Sequence, residues 1–216
     1  MTKPASLLPT PEDLQVLSRQ LGRPVRDVVE IGARCVCGNP LVATTSPRLG
    51  NGIPFPTTYY LTHPIITAAV SRLEANGVMV EMSQRLTIDH DLAARYQRAH
   101  ESYLAARRAV GERAGVGPVA EIDGVSAGGM PTRVKCLHVL VGHSLAAGPG
   151  VNPLGDEAIG LISPWWSADR CYCDGAWDVA GPVPAADLSR HTKTQGLPPA
   201  ELERKRAGRR PQAQED

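Results

Sequence analysis

The sequence predicts an α+β fold, a small three-stranded antiparallel sheet packed with four or five helices. Two observations carry this. Short β-branched runs broken by turn residues fill positions 28–62, and apolar residues at helical spacing occupy the segments on either side. A hydrophobic fraction of 42% over 216 residues is enough for a core without disulfide staples. One Phe, three Trp and five Tyr leave that core largely aliphatic. The length suits a single domain, expected over 1–178, with an appendage.

The elements follow in order. Thr10-Pro11-Glu12-Asp13 reads as an N-cap, a Pro at the first helical position and acids in the first turn. Leu14, Leu17 and Leu21 then share a stripe that Gly22 ends. Residues 28–34 (VVEIGAR) read as a strand, 35–40 (CVCGNP) as a turn and 41–45 (LVATT) as a second strand. A Pro/Gly-rich loop over 47–56 precedes a third strand, TTYYLT at 57–62, stopped by Pro64. Ile66, Ala69, Val70 and Leu73 form the face of a helix that Gly77 ends. Leu92, Tyr96, Ala99, Tyr103, Ala106 and Val110 step by fours and threes along a helix of about 20 residues capped by Asp89 or Asp91. Its other side carries Arg95, Arg98, Arg107 and Arg108, expected as a solvated face. After a Gly-rich connection over 111–129, Pro131 starts a helix expected to run from Thr132 to about Ala147. From Gly148 the chain reads as irregular. Positions 179–216 are Pro/Ala-rich and basic, expected as a disordered tail.

Charge and composition exclude some functions. With 23 Lys+Arg against 22 Asp+Glu, net charge is +1, which argues against a surface built for membranes or nucleic acid. The basic residues Arg204, Lys205, Arg206, Arg209 and Arg210 are diluted by four acids within 201–216. No run approaches the length of a membrane span, and the first residues lack the pattern of a secretory signal, so a cytoplasmic protein is expected. An odd count of five Cys fits thiols better than disulfides.

Strand direction points to a metal site. If the strands run up, down and up, the ends of the first and third lie together, so Cys35 and Cys37 after the first converge with His63 after the third. Cys136, His138 and His143 follow in the next helical segment, and helix geometry lets at most one of them join that group. Cys136 is the expected choice, because a thiolate suits such a site. His138 is expected on an apolar face with Val134, Val141 and Leu145. The expected ligands are Cys35, Cys37, His63 and Cys136. Cys171 and Cys173 repeat the Cys-x-Cys spacing; they complete this site, form another, or are free thiols.

A second candidate is an anion site. Ser126-Ala127-Gly128-Gly129-Met130-Pro131 leads into the expected helix, and Gly128 and Gly129 with Arg133 and Lys135 would present N–H groups and charge to a phosphate-bearing ligand. The phosphate-loop, dinucleotide, serine-hydrolase and zinc-protease motifs do not occur.

Four segments together carry a family resemblance: RCVCGNPLV, GIPFPTTYYLTHP, AAVSRLEANGVM and SAGGMPTRVKCLHVLVGHSLAAGPGVNPLGDEA. They resemble the bacterial domain-of-unknown-function family 501, in its actinobacterial form, over roughly residues 15–170. The resemblance implies a compact cytoplasmic protein encoded beside a septum-formation-initiator protein and an exopolyphosphatase-like protein, and hence a cell-division-related partner; it implies no activity. Family members look like R-C, then L-T-C-P, then K-C-L-H. The first and last match Cys35 and Cys136, while His63 stands where the middle Cys falls. His in place of Cys keeps a zinc ligand and disfavours an all-thiolate iron–sulfur cluster. The expected function is that of a zinc-binding protein with a structural or interaction role. The alternatives are a phosphate- or nucleotide-recognising protein, or a metal-assisted hydrolase, using the Gly128-Gly129 helix start.

Overall fold

A computed structural model describes residues 7–173 of the chain; the tail expected at 179–216 lies outside them. The elements run α1 (Pro11–Leu21), β1 (Val28–Arg34), β2 (Pro40–Thr45), β3 (Tyr59–Leu61), α2 (Pro64–Ala75), α3 (Val78–Ile88), α4 (His90–Arg113), a 3₁₀ turn (Ala120–Ile122), α5 (Leu137–Ala147) and α6 (Pro153–Leu161). The α+β expectation holds, with six α-helices among the described residues rather than four or five.

The sheet has strand order β1-β2-β3, antiparallel throughout. Val28 faces Thr45 and Arg34 faces Pro40 across the first pair, and Val42 faces Leu61 across the second. The ends of β1 and β3 therefore lie at the same end of the sheet. A register shift separates Ile31 from Ala33. Ile31 joins Leu17 and Ala43 in a small cluster beneath α1, whereas Ala33 packs on the main core.

That main core fills the other side. Ile66, Val70, Met82, Tyr96, Tyr103, Leu137, Leu140 and Leu154 are buried together between α2–α6 and the sheet. The Leu92–Val110 stripe on α4 is buried except at half-buried Ala106. Arg107 departs from the expected solvated face. It is buried, and its Nη1 and Nη2 each donate at 2.6 Å, to the carbonyls of Val125 and Ile122. A guanidinium with such partners holds the connection after α4 in place.

Helix α1 starts as its sequence implies, with a capping box. The Asp13 N–H donates to Thr10 Oγ1 (3.1 Å) while the Thr10 N–H donates to Asp13 Oδ2 (2.9 Å). Asp13 also accepts two hydrogen bonds from Arg34, at 2.6 and 2.9 Å. Burial alone would raise its carboxyl pKa; the bonds from Arg34 and from the Thr10 backbone outweigh it and hold it below the usual range. Asp13→Asn weakens the cap and removes the carboxylate that pairs with Arg34. Its expected cost is about 2 kcal/mol, measured as a change in the urea midpoint at neutral pH.

Two helices went unread in the sequence. Helix α3 buries only Met82 and Leu86, too narrow a stripe to stand out. Helix α6 lies where irregular chain was expected, although Asn152 caps it by accepting from the Gly155 N–H (3.0 Å) and Pro153 opens it. Helices α5 and α6 pack face to face. A Cβ at Gly155 would fall on the Leu140 carbonyl oxygen and Ser144 Oγ. Gly155→Ala is therefore expected to push α6 off α5 at a cost of about 1–3 kcal/mol, read as a lowered unfolding midpoint.

Beneath that crossing sits His143, fully buried, stacked on Tyr59 (centroids 5.5 Å apart, 10° between planes) and edge-on to Tyr103 (5.1 Å, 88°). The Asn152 side-chain amide donates to His143 Nδ1 (3.3 Å), so the neutral ring carries its proton on Nε2. Burial lowers the pKa of this imidazole to about 4.

Candidate metal centre

The β1–β2 connection is a tight turn. The Cys35 N–H donates to the Asn39 carbonyl and the Gly38 N–H to the Cys35 carbonyl, both at 2.8 Å. Gly38 sits at φ 95°, a conformation a side chain would strain. Arg34 Nη1 donates to the Gly38 carbonyl (2.9 Å) as well as to Asp13, so the turn is braced against the start of α1. Within it Cys35 is buried and Cys37 exposed.

The partners of this pair come from the far end of the described chain. After α6, Trp166 is 1% exposed and anchors the segment on the main core. Trp165 lies against Arg72 of α2, whose guanidinium carbon is 5.2 Å from the ring centroid. Tyr172 and Cys173 pack on the same core. The result is a cluster in which the Sγ atoms of Cys35, Cys37, Cys171 and Cys173 all lie within 4.8 Å of one another. No disulfide joins them. Four thiolates around one zinc ion at about 2.3 Å would stand about 3.8 Å apart, which falls inside the 4.8 Å that contains these sulfurs.

The electrostatics of the thiols agree. Burial pushes the Cys37 thiol up, against the backbone hydrogen bond from Asn39. Burial, and next Cys37, push Cys173 up. Cys171 is lowered, chiefly because the Cys173 N–H donates to its sulfur (3.4 Å), with Cys37 as the next contributor. Cys171 is the thiol shifted toward the thiolate, while Cys37 and Cys173 are shifted toward the protonated form. Four thiolates at this spacing need a cation.

His63 stands at this end of the sheet, as strand direction implies. It is fully buried as the N-cap residue of α2, with Nε2 3.5 Å from Cys173 Sγ. Burial lowers its pKa to about 4, so it is neutral at pH 7. Of the four expected ligands, the structure brings Cys35, Cys37 and His63 to one end of the sheet and places Cys136 in a different group.

That placement follows from a shifted helix boundary. Helix α5 begins at Leu137, not Thr132, and Cys136 is its N-cap in extended conformation (φ −156°, ψ 111°). Residues on a common helix would put Cys136 and His138 on opposite sides; with Cys136 outside the helix, its Sγ lies 3.9 Å from His138 Nδ1. His138 is half-buried rather than on an apolar face. It lies 3.1 Å from Glu74 Oε1 through Nδ1 and 3.1 Å from the Thr67 carbonyl through Nε2. Its pKa rises to about 9, with Cys136 the largest contributor and Glu74 adding to it.

Gly128, Gly129, Arg133 and Lys135 accordingly lie in turns ahead of α5. The Lys135 N–H donates to the Gly128 carbonyl (2.7 Å) and the Arg133 N–H to that of Gly129 (3.1 Å). Gly129, at φ 92°, leaves no room for a Cβ beside the Arg133 carbonyl oxygen. At the helix start itself, the Leu137 N–H donates to Glu74 Oε1 (2.7 Å). A carboxylate of the chain's own α2 thus sits where an external anion was expected.

A cleft of about 700 Å³ lies away from both groups, between residues 21–27 and the loop at 49–55, with Arg23, Arg26 and Asp27 at its wall. Among the described residues no helix is long and apolar enough to cross a membrane.

Fold and site together define a small α+β protein with a four-cysteine cluster able to hold a metal ion. The sequence matches the model of a family described as "Protein of unknown function (DUF501)" over residues 31–160, more than half of the chain, and the protein belongs to that family. No curated protein and no solved structure matches it. The match ends before Cys171 and Cys173, so half of the cluster lies beyond the matched residues.

Sequence reasoning left the joining of Cys171 and Cys173 to Cys35 and Cys37 as one of three alternatives, and missed the part played by Glu74. The repeated Cys-x-Cys spacing was the available signal for the first. Nothing in the sequence around Glu74 marks it.

Proposed function

We propose that the chain is a cytoplasmic zinc-binding protein in which Cys35, Cys37, Cys171 and Cys173 hold one structural Zn²⁺. The observation that carries this is the gathering of four sulfurs within 4.8 Å from two Cys-x-Cys pairs far apart in sequence. Four thiolates close the coordination shell and leave no position for water, the arrangement of structural rather than catalytic zinc. The spacing favours a single ion over an iron–sulfur cluster, whose own iron and sulfide core would hold cysteine sulfurs further apart. In this reading His63, with Nε2 3.5 Å from Cys173 Sγ, supports the site as a neighbour of that sulfur rather than as a ligand. A reducing compartment suits such exposed thiols.

The ion would pin the segment carrying Trp165 and Trp166 to the β1–β2 turn. Val36 in that turn and Trp165 in that segment are both exposed, which supports an interaction role. The expected phosphate-bearing ligand has no comparable support, since Glu74 fills the start of α5.

The test is elemental analysis of protein purified without a histidine tag. Zinc is expected, and the double variant Cys171→Ser/Cys173→Ser should lose one equivalent. Iron with matching acid-labile sulfide, or stable metal-free protein whose four thiols all alkylate freely, would refute the proposal.

A further inference from the structure

A second set of metal-ligating atoms lies where the end of α2 meets the start of α5. Glu74, Cys136 and His138 each offer one donor atom, and the three atoms lie within 4.8 Å of one another. His138 Nδ1 is 3.1 Å from Glu74 Oε1 and 3.9 Å from Cys136 Sγ. A single proton on Nδ1 cannot serve both acceptors well, whereas a cation between the three can.

The ring is also held as a ligand. The Thr67 carbonyl, 3.1 Å from Nε2, can only accept, so Nε2 carries a hydrogen, with Ser71 Oγ 3.3 Å from the same nitrogen; a metal ion at Nδ1 would replace the proton that the ring otherwise shares with Glu74. An imidazole ligating through one nitrogen while the other N–H is anchored on a backbone carbonyl is the usual support for a metal-bound histidine. Glu74 is oriented in turn by the Leu137 N–H at 2.7 Å. Tetrahedral ligands about 2.0–2.3 Å from zinc stand roughly 3.3–3.8 Å apart, close to the separations found.

We propose that Glu74, Cys136 and His138 form a second divalent-cation site, with three protein ligands and a fourth position taken by water. Thiolate, imidazole and carboxylate together suit a borderline ion such as Zn²⁺. The site is open where the four-cysteine cluster is closed: Cys136 is half-buried, and the side chains of His138 and Glu74 are 26% and 23% exposed. Three protein ligands plus water is the arrangement that lets zinc activate a water molecule. Hydrolysis is therefore the class of chemistry this site could support, and the four-cysteine cluster could not.

The test is a Co²⁺ titration of the full chain after metal removal, read by cobalt–thiolate absorption. Wild type is expected to bind one equivalent more than Cys136→Ala, whether or not the four-cysteine cluster itself takes metal. In the Cys171→Ser/Cys173→Ser background the remaining equivalent should show the weak band of a single thiolate. Glu74→Gln keeps an acceptor for the Leu137 N–H and so preserves the start of α5; it should weaken this equivalent by about tenfold or more. Equal stoichiometry in wild type and Cys136→Ala would overturn the proposal, as would cobalt affinity unchanged by Glu74→Gln.

Discussion

If the four-cysteine cluster holds zinc as proposed, stripping the ion from the purified chain is expected to lower the thermal midpoint by about 10 °C. The size follows from linkage: a ligand present at a thousand times its dissociation constant adds about 4 kcal/mol to the folded state. For a chain of this size each kcal/mol moves the midpoint by about 2–4 °C. Cys35 and Cys37 sit in a hairpin turn, while Cys171 and Cys173 arrive roughly 130 residues later, so only the folded chain brings the four together and the proposed ion would bind the folded state alone. Cys37 is exposed, so Cys37→Ser disturbs no packing and should remove most of the chelator-dependent change. Calorimetry with and without chelator checks this; equal midpoints in the two conditions would sink the structural role.

Acidification from pH 7 to pH 4 costs about 3 kcal/mol through His143 alone, since each pH unit between its unfolded and folded pKa is worth about 1.4 kcal/mol. That pKa falls from the ordinary 6.5 to about 4 because burial disfavours the charged ring. Below pH 6.5 the unfolded chain takes up a proton that the folded chain refuses. Stability is therefore complete above 6.5 and falls until the folded ring titrates near 4. His63 moves in the same direction, also through burial, and steepens the loss. Urea unfolding at several pH values measures the slope. His143→Asn should be less stable at neutral pH and show a flatter dependence between 6.5 and 4. Parallel curves for variant and wild type would show that His143 is not the source.

Much of the fold was legible because it rests on local signals. The Thr10–Asp13 cap, the β-branched runs and the α4 stripe each declare themselves within a few residues, and the antiparallel alternation of strands follows from short connections. The same alternation placed Cys35, Cys37 and His63 at one end of the sheet. The rest depended on contacts distant in sequence. Cys171 and Cys173 come to the site because Trp166 finds a buried place on the core, which no local pattern announces. Pro131 imitated a helix start, but the backbone at 128–135 closes into turns on the carbonyls of Gly128 and Gly129. Displacing that start by five residues, from Thr132 to Leu137, put Cys136 at the cap, where it meets His138 instead of Cys35. Glu74 closes the end of α5 across a helix–helix junction, and only the tertiary fold brings it there.

The two halves of the four-cysteine cluster are also separated in time. A ribosome adding about 5–20 residues per second finishes Cys37 roughly ten seconds before Cys173. During that interval the early pair stands as an exposed dithiol with no complete site to protect it, open to oxidants and to competing metals. Only a chain synthesised past Tyr172 can close the cluster, so a truncated translation product would present the bare pair to cellular thiol chemistry and quality control.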